Sequence, residues 1–174
     1  ASYEINNWNG IFSSDSEYLS LINLARVRQI SVMDQLDLNE HLSKIERDKL
    51  DAIEKEIKSY KDVCGLIDFT DMIQKFLDKN GTPDFDVIFV DEAQDLSLIQ
   101  WAMINKIEKD TNCDVWIAGD DDQAIFGWAG ADVDSFINYD AKEIPLKQSE
   151  RVPSIIQEVA LNVVTKIEKD TNCD

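Results

Sequence analysis

The sequence predicts an α/β fold built on a parallel sheet, and three observations carry that expectation. Two short apolar runs rich in β-branched residues, Val87-Ile88-Phe89-Val90 and Val115-Trp116-Ile117-Ala118, stand near acidic residues and turn signals, the pattern of buried strands. Leu96 to Ile107 lies between them with helical spacing, and alternation of strand and helix marks a parallel sheet. The first third carries only helical pattern, so a helical subdomain over residues 1–64 is expected ahead of a sheet-bearing lobe over residues 65–174.

The elements follow in chain order. From Tyr18, the residues Leu19, Leu21, Ile22, Leu24, Ala25 and Val27 form a dense apolar stretch that predicts a first helix. Asp37 and Glu40 have the spacing of a capping box. After them Leu42, Ile45, Leu50, Ile53, Ile57 and Tyr60 recur mostly at three- and four-residue steps, with Lys44, Glu46, Lys49, Glu54, Lys55, Glu56 and Lys58 between. That spacing predicts an amphipathic helix of roughly 20 residues whose apolar stripe packs on the earlier helix. A further helix is expected over Asp68–Leu77, stopped by Asn80-Gly81-Thr82-Pro83. The first strand should be buried, parallel and central. Ile144-Pro145-Leu146 is a candidate third strand, and Pro153–Val164 a last helix with Ser149 or Ser154 as its cap. The nonapeptide KIEKDTNCD occurs at 106–114 and again at 166–174. No other similarity accompanies the two copies, so they do not make a structural repeat.

Composition narrows the function classes. The chain carries 17 basic and 35 acidic residues, a net charge of −18, so a grip on nucleic acid must be local or rest on residues elsewhere. Most of these carboxylates read as a solvated surface. Cys64, Cys113 and Cys173 make neither a zinc pattern nor a disulfide framework, which favours a reducing, cytoplasmic setting. His41 is the single histidine and stands among polar residues of helical pattern, so histidine-based catalysis is not expected. No stretch approaches the ~18 apolar residues of a membrane helix.

Three clusters carry chemistry. Asp91-Glu92-Ala93-Gln94-Asp95 follows the first strand, at the edge where α/β folds place ligands. One carboxylate there can hold a hard cation such as Mg²⁺ and a second can deprotonate an attacking water. A wet loop at a strand end explains an acidic pair equally well. Gly119-Asp120-Asp121-Asp122-Gln123-Ala124-Ile125-Phe126-Gly127-Trp128-Ala129-Gly130-Ala131 follows the second strand, so it opens on the same edge. Gln123 can donate to a phosphate oxygen and accept from water. Phe126 and Trp128 can stack on bases if exposed, although an isolated aromatic pair more often packs in a core. In Leu146-Lys147-Gln148-Ser149-Glu150-Arg151-Val152-Pro153, Arg151 stands just before a helix. It can reach a phosphate as a bidentate donor, or pair with Glu150 or Glu158 on the surface.

In this order and spacing the three clusters resemble the UvrD/Rep family of superfamily 1 DNA helicases. Val90-Asp91-Glu92-Ala93-Gln94-Asp95 resembles the family's Walker B motif, motif II. The stretch from Gly119 to Ala131 is similar to motif III, and Leu146–Pro153 to motif IV. Asp68-Phe69-Thr70-Asp71 resembles a short segment that precedes motif II. The resemblance covers roughly residues 65–160 and implies part of a RecA-like P-loop NTPase lobe with an inserted helical subdomain. It implies ATP and Mg²⁺ as cofactors, with single-stranded DNA and duplex junctions as partners. Asp91 would hold Mg²⁺ through water, and Glu92 would activate the hydrolytic water. Gln123 would sense the γ-phosphate, and Arg151 would act as an arginine finger. Trp128 and Phe126 would stack on the strand. RecD-like helicases carry different residues after the Asp-Glu pair, which favours a 3′-to-5′ motor. A helicase-nuclease of the RecB/AddA type shares these motifs, and a non-catalytic helicase-like binding module is a further alternative.

The sequence departs from the family pattern at three places. Ala129 stands where arginine is usual, and Ser149-Glu150 where Asn-Tyr is usual. None of the glycines, Gly10, Gly65, Gly81, Gly119, Gly127 and Gly130, is followed by lysine, so no P-loop supplies a phosphate cradle. The chain reads as an internal slice of a motor that is inactive alone.

Overall fold

The computed structural model describes residues 17–39, 45–146 and 148–171, with side chains described as far as Lys166. Glu40, His41, Leu42, Lys44, Lys147 and Cys173 lie outside the described residues, and with them the expectations attached to those positions. The chain divides into two compact units between Tyr139 and Asp140.

The first unit opens with three helices, α1 (Glu17–Val27), α2 (Val32–Asp37) and α3 (Arg47–Cys64). Leu21, Ile22 and Ala25 of α1 meet Val32 and Leu36 of α2 and Ile45 and Leu50 at α3 in one buried cluster. The expected capping box pairs Asp37 with Glu40, which lies outside the described residues. Asp37 closes α2, and α3 begins at Arg47 after Glu46, without a side-chain cap. The start signal lies earlier, at Ser31, whose Oγ accepts the Asp34 N–H at 3.0 Å. Asp37 instead pairs with Arg47 across the turn. Gly65 ends α3 with φ +63°, a left-handed C-cap that favours glycine.

Helix α4 (Phe69–Asp78) begins as expected, because Asp68 and Asp71 form a reciprocal capping box. The same two carboxylates tie α4 to α1 and α3. Arg26 donates to both oxygens of Asp68 at 2.7 and 3.1 Å and to Asp71 at 2.5 Å. Lys61 adds contacts of 2.6 and 2.5 Å to the same pair. Burial pushes the Asp68 carboxyl up, but Arg26, Lys61 and the Asp71 N–H together hold it well below the usual carboxylate range.

Strands β1 (Val87–Val90) and β2 (Asp114–Ile117) flank α5 (Leu98–Thr111) and pair in parallel, Val87 opposite Asp114 and Val90 opposite Ile117. This is the predicted strand–helix–strand unit in an α/β fold. Ile88, Val90, Val115 and Ile117 pack on Ala93, Trp101 and Ile104 together with Phe136 and Tyr139. The expectation of a central, fully buried strand is corrected. The sheet has two strands among the described residues, and its other face is open: Phe89 is 79% and Trp116 55% exposed. Their rings stack with centroids 6.4 Å apart. Helix α6 (Val133–Ile137) closes this unit, capped by Asp132, whose carboxylate accepts the Ser135 N–H.

In the second unit, Ile144-Pro145-Leu146 forms no strand. Pro145 lacks the N–H a ladder needs, and Leu146 is exposed. Helix α7 runs from Ser154 to Thr171, longer than the expected Pro153–Val164. Ser154 is its first residue rather than its cap, while Ser149 Oγ accepts the Val152 N–H in the preceding turn.

Candidate functional site

The parallel ladder continues past the ends of both strands. Ala118 donates its N–H to Val90 O at 2.8 Å, and Ala93 to Ala118 O at 3.0 Å. Both acidic loops therefore leave the sheet from one clamped point. At Glu92 the backbone takes φ 51° and ψ 44°, a left-handed conformation in a non-glycine residue. That kink turns the chain from β1 into a 3-10 turn, Ala93–Asp95. The Glu92 N–H donates to Asp91 Oδ1 at 3.0 Å. After β2, Asp120 accepts the Asp122 N–H through Oδ1 and opens a second 3-10 turn, Asp121–Gln123. The Gln123 carboxamide donates to Asp120 Oδ2 at 2.5 Å.

Between the two turns lies an open concavity of ≈ 520 Å³ lined by Glu92, Gln94, Asp95, Asp122, Gln123, Ile125 and Phe126. Three residues singled out from sequence, Glu92, Gln123 and Phe126, thus share one mouth. Asp91 is exposed at the end of β1, next to that mouth but not among its lining residues. Arg151 is exposed in the second unit, ahead of α7.

The aromatic pair sits on a loop that is pinned from two sides. Phe126 and Trp128 have ring centroids 6.2 Å apart, and Trp128 is 60% exposed. Gly127–Ala129 form a 3-10 turn whose Gly127 carbonyl accepts the Arg28 guanidinium at 3.1 Å. At Gly130, φ is +99° and a Cβ would stand 2.6 Å from Val27 Cγ2. Glycine thus lets the loop lie directly on α1. On the other side Ala131 bridges Ser97, and the Asp132 N–H donates to Leu96 O at 2.8 Å.

Sequence reasoning missed Gln94, Asp95 and Gly119. Gln94 is 2% exposed and bonded at both ends of its amide. Asp95 lines the concavity with a buried Oδ1 that lacks a hydrogen-bond partner. The available signal was slight: an amide between Ala93 and Asp95 in a short acidic loop. Among the described residues no group of three or more His, Cys, Asp or Glu side chains is arranged to hold a metal ion. Mg²⁺ needs fewer protein ligands, since one or two carboxylates suffice beside phosphate and water oxygens. The exposed carboxylate of Asp91, with that of Glu92 beside it, fits such a donor set.

The UvrD/REP helicase N-terminal domain family matches residues 5–143. The chain belongs to this family. DNA helicase II of Escherichia coli (strain K12) is 36% identical over 124 residues, covering 62% of this chain and 17% of that protein. DNA helicase II of Haemophilus influenzae is 33% identical over 108 residues, 53% of this chain and 15% of its own length. ATP-dependent DNA helicase PcrA of Leuconostoc citreum is 29% identical over 112 residues, 56% of this chain and 15% of its own length. The chain therefore spans about a sixth of the curated UvrD/REP relatives it matches. Within the described residues no helix is long and apolar enough to cross a membrane.

Proposed function

We propose that this chain forms part of the first RecA-like motor lobe of an ATP-dependent 3′-to-5′ DNA helicase, with residues 1–64 as a helical subdomain inserted in that lobe. One observation carries the reading. Glu92, Gln123 and Phe126 line a single mouth at the carboxyl edge of a parallel sheet, where α/β folds bind their ligands. Mg²⁺–ATP, when bound, supplies the phosphoanhydride that is cleaved. Asp91 would hold the cation, and Glu92 would orient the attacking water and take its proton. Gln123 would exchange its bond to Asp120 for one to the terminal phosphate, and Arg151, by its likeness to the family's arginine finger, would stabilise the developing charge. Trp128, with Phe126, stacks on bases of the single strand. Ala129 removes the positive charge usual beside that tryptophan, so stacking is a larger share of the contact than in relatives with arginine there.

The test uses the full-length parent enzyme. Glu92→Gln should keep ATP binding and lower kcat by at least ~100-fold, the low end for a general base. Arg151→Ala should lower it by ~1000-fold, the effect of removing an arginine finger. Near-parental turnover in either variant removes that residue from the catalytic set.

A further inference from the structure

The Gln94 side chain joins the two acidic loops. Its Nε2 donates to Glu92 Oε2 at 2.8 Å, and its Oε1 accepts the Asp120 N–H at 3.1 Å. Asp120 Oδ2 in turn accepts from Gln123 Nε2 at 2.5 Å. Three hydrogen bonds therefore run from the Glu92 carboxylate to the Gln123 carboxamide through one buried amide. A carboxamide suits this place because it offers donors at one corner and an acceptor at the other. The neighbouring loop makes room for it: a Cβ at Gly119 would stand 2.7 Å from Gln94 Oε1. Among the described residues Gln94 is the one hydrogen-bond donor to the Glu92 carboxylate, which is otherwise open to solvent.

We propose that Gln94 is a positioning residue that holds the Glu92 carboxylate in fixed register with Gln123. This rests on the reading of Glu92 as the base that activates water. Burial alone would be served by leucine, which leaves the Asp120 N–H unpaired and the Glu92 side chain free to swing. Gln94 touches neither water nor phosphate in this assignment and acts through Glu92 alone.

The experiment is a double-mutant cycle on the full-length enzyme, with kcat and KM for ATP measured separately. Gln94→Leu should lower kcat by ~10–100-fold, the worth of a hydrogen bond to a charged group, and leave KM for ATP unchanged. In the Glu92→Gln background the same substitution should cost nothing further, because the group it positions is gone. Gln94→Met keeps the length of the side chain but offers no N–H to Glu92. It should show the same loss of kcat, and it keeps the test valid if Gln94→Leu does not fold. Parental kcat in a folded Gln94 variant overturns the proposal. So does an equal loss of kcat in both backgrounds, the mark of a residue that only supports the fold. Parental kcat in Glu92→Gln itself is a separate result, which overturns the assignment of the base and this inference with it.

Discussion

Trp128 shows how much one exposed side chain decides. A buried tryptophan truncated to alanine costs ~3–5 kcal/mol of stability. Trp128 is 60% exposed, so Trp128→Ala should leave the melting temperature nearly unchanged. In the full-length enzyme it should weaken single-strand binding by ~1–3 kcal/mol, the worth of one stacked base, and uncouple unwinding from ATP use. Thermal melts and fluorescence titrations with a single-stranded oligonucleotide check this. A large drop in melting temperature with unchanged affinity would return Trp128 to a packing role. At this scale the sequence was legible where chemistry is concentrated. Glu92 and Gln123 stand out because acids and an amide follow two apolar runs. Gln94 does not, because a buried amide satisfied by one backbone and one side-chain partner leaves no periodic trace. Arg151 stands out by motif likeness and its place before α7.

Among elements, α4 was read correctly because its start is local: Asp68 caps it and Asp71 returns the bond. Asp68→Ala should cost ~0.5–2 kcal/mol for the cap, plus up to ~1 kcal/mol for part-exposed ion pairs to Arg26 and Lys61. The pH dependence follows from a carboxyl held below its ordinary value in the fold. Its contribution is fully present above about pH 3.9 and is lost as pH falls from there toward the folded value. Melts at pH 7 and pH 3 should therefore show wild type losing more stability on acidification than Asp68→Ala. An equal loss in both would detach the ion network from acid sensitivity. The elements that escaped the sequence did so for tertiary reasons. The apolar pattern of β1 fits a strand buried on both faces, yet only Ile88 and Val90 have helices to pack on. Helix α2 is six residues long, too short for periodicity to reveal, so Asp37 passed for the start of the helix it precedes.

For the molecule as a whole, the clamped strand ends bring two loops together, but no glycine-lysine pair supplies a phosphate cradle. The 174-residue chain alone should therefore release no phosphate from ATP, with or without DNA. DNA-stimulated release by the purified chain, abolished by Glu92→Gln, would overturn that. The division into units at Tyr139 and Asp140 was not legible in composition. Helices α1, α2 and α3 bury their apolar residues against one another, but α1 also touches α5 and the Gly130 loop, and such long-range packing has no local signature.

The left-handed backbone of Glu92 has a consequence for how such a chain evolves under selection in the laboratory. An L-residue with a long side chain pays ~1–2 kcal/mol in that conformation, which glycine avoids and asparagine tolerates better. A library screened for heat resistance alone should therefore enrich Glu92→Gly or Glu92→Asn, with melting temperatures at or above that of wild type. If Glu92 activates water as proposed, each winner would lower ATP turnover in the full-length enzyme. Such a screen would discard the residue assigned here to water activation, whereas a screen for DNA-stimulated turnover in the parent would restore it. Sequencing the survivors of both screens at position 92 reads the conflict directly, and glutamate retained under thermal selection alone would show that the kink carries no strain.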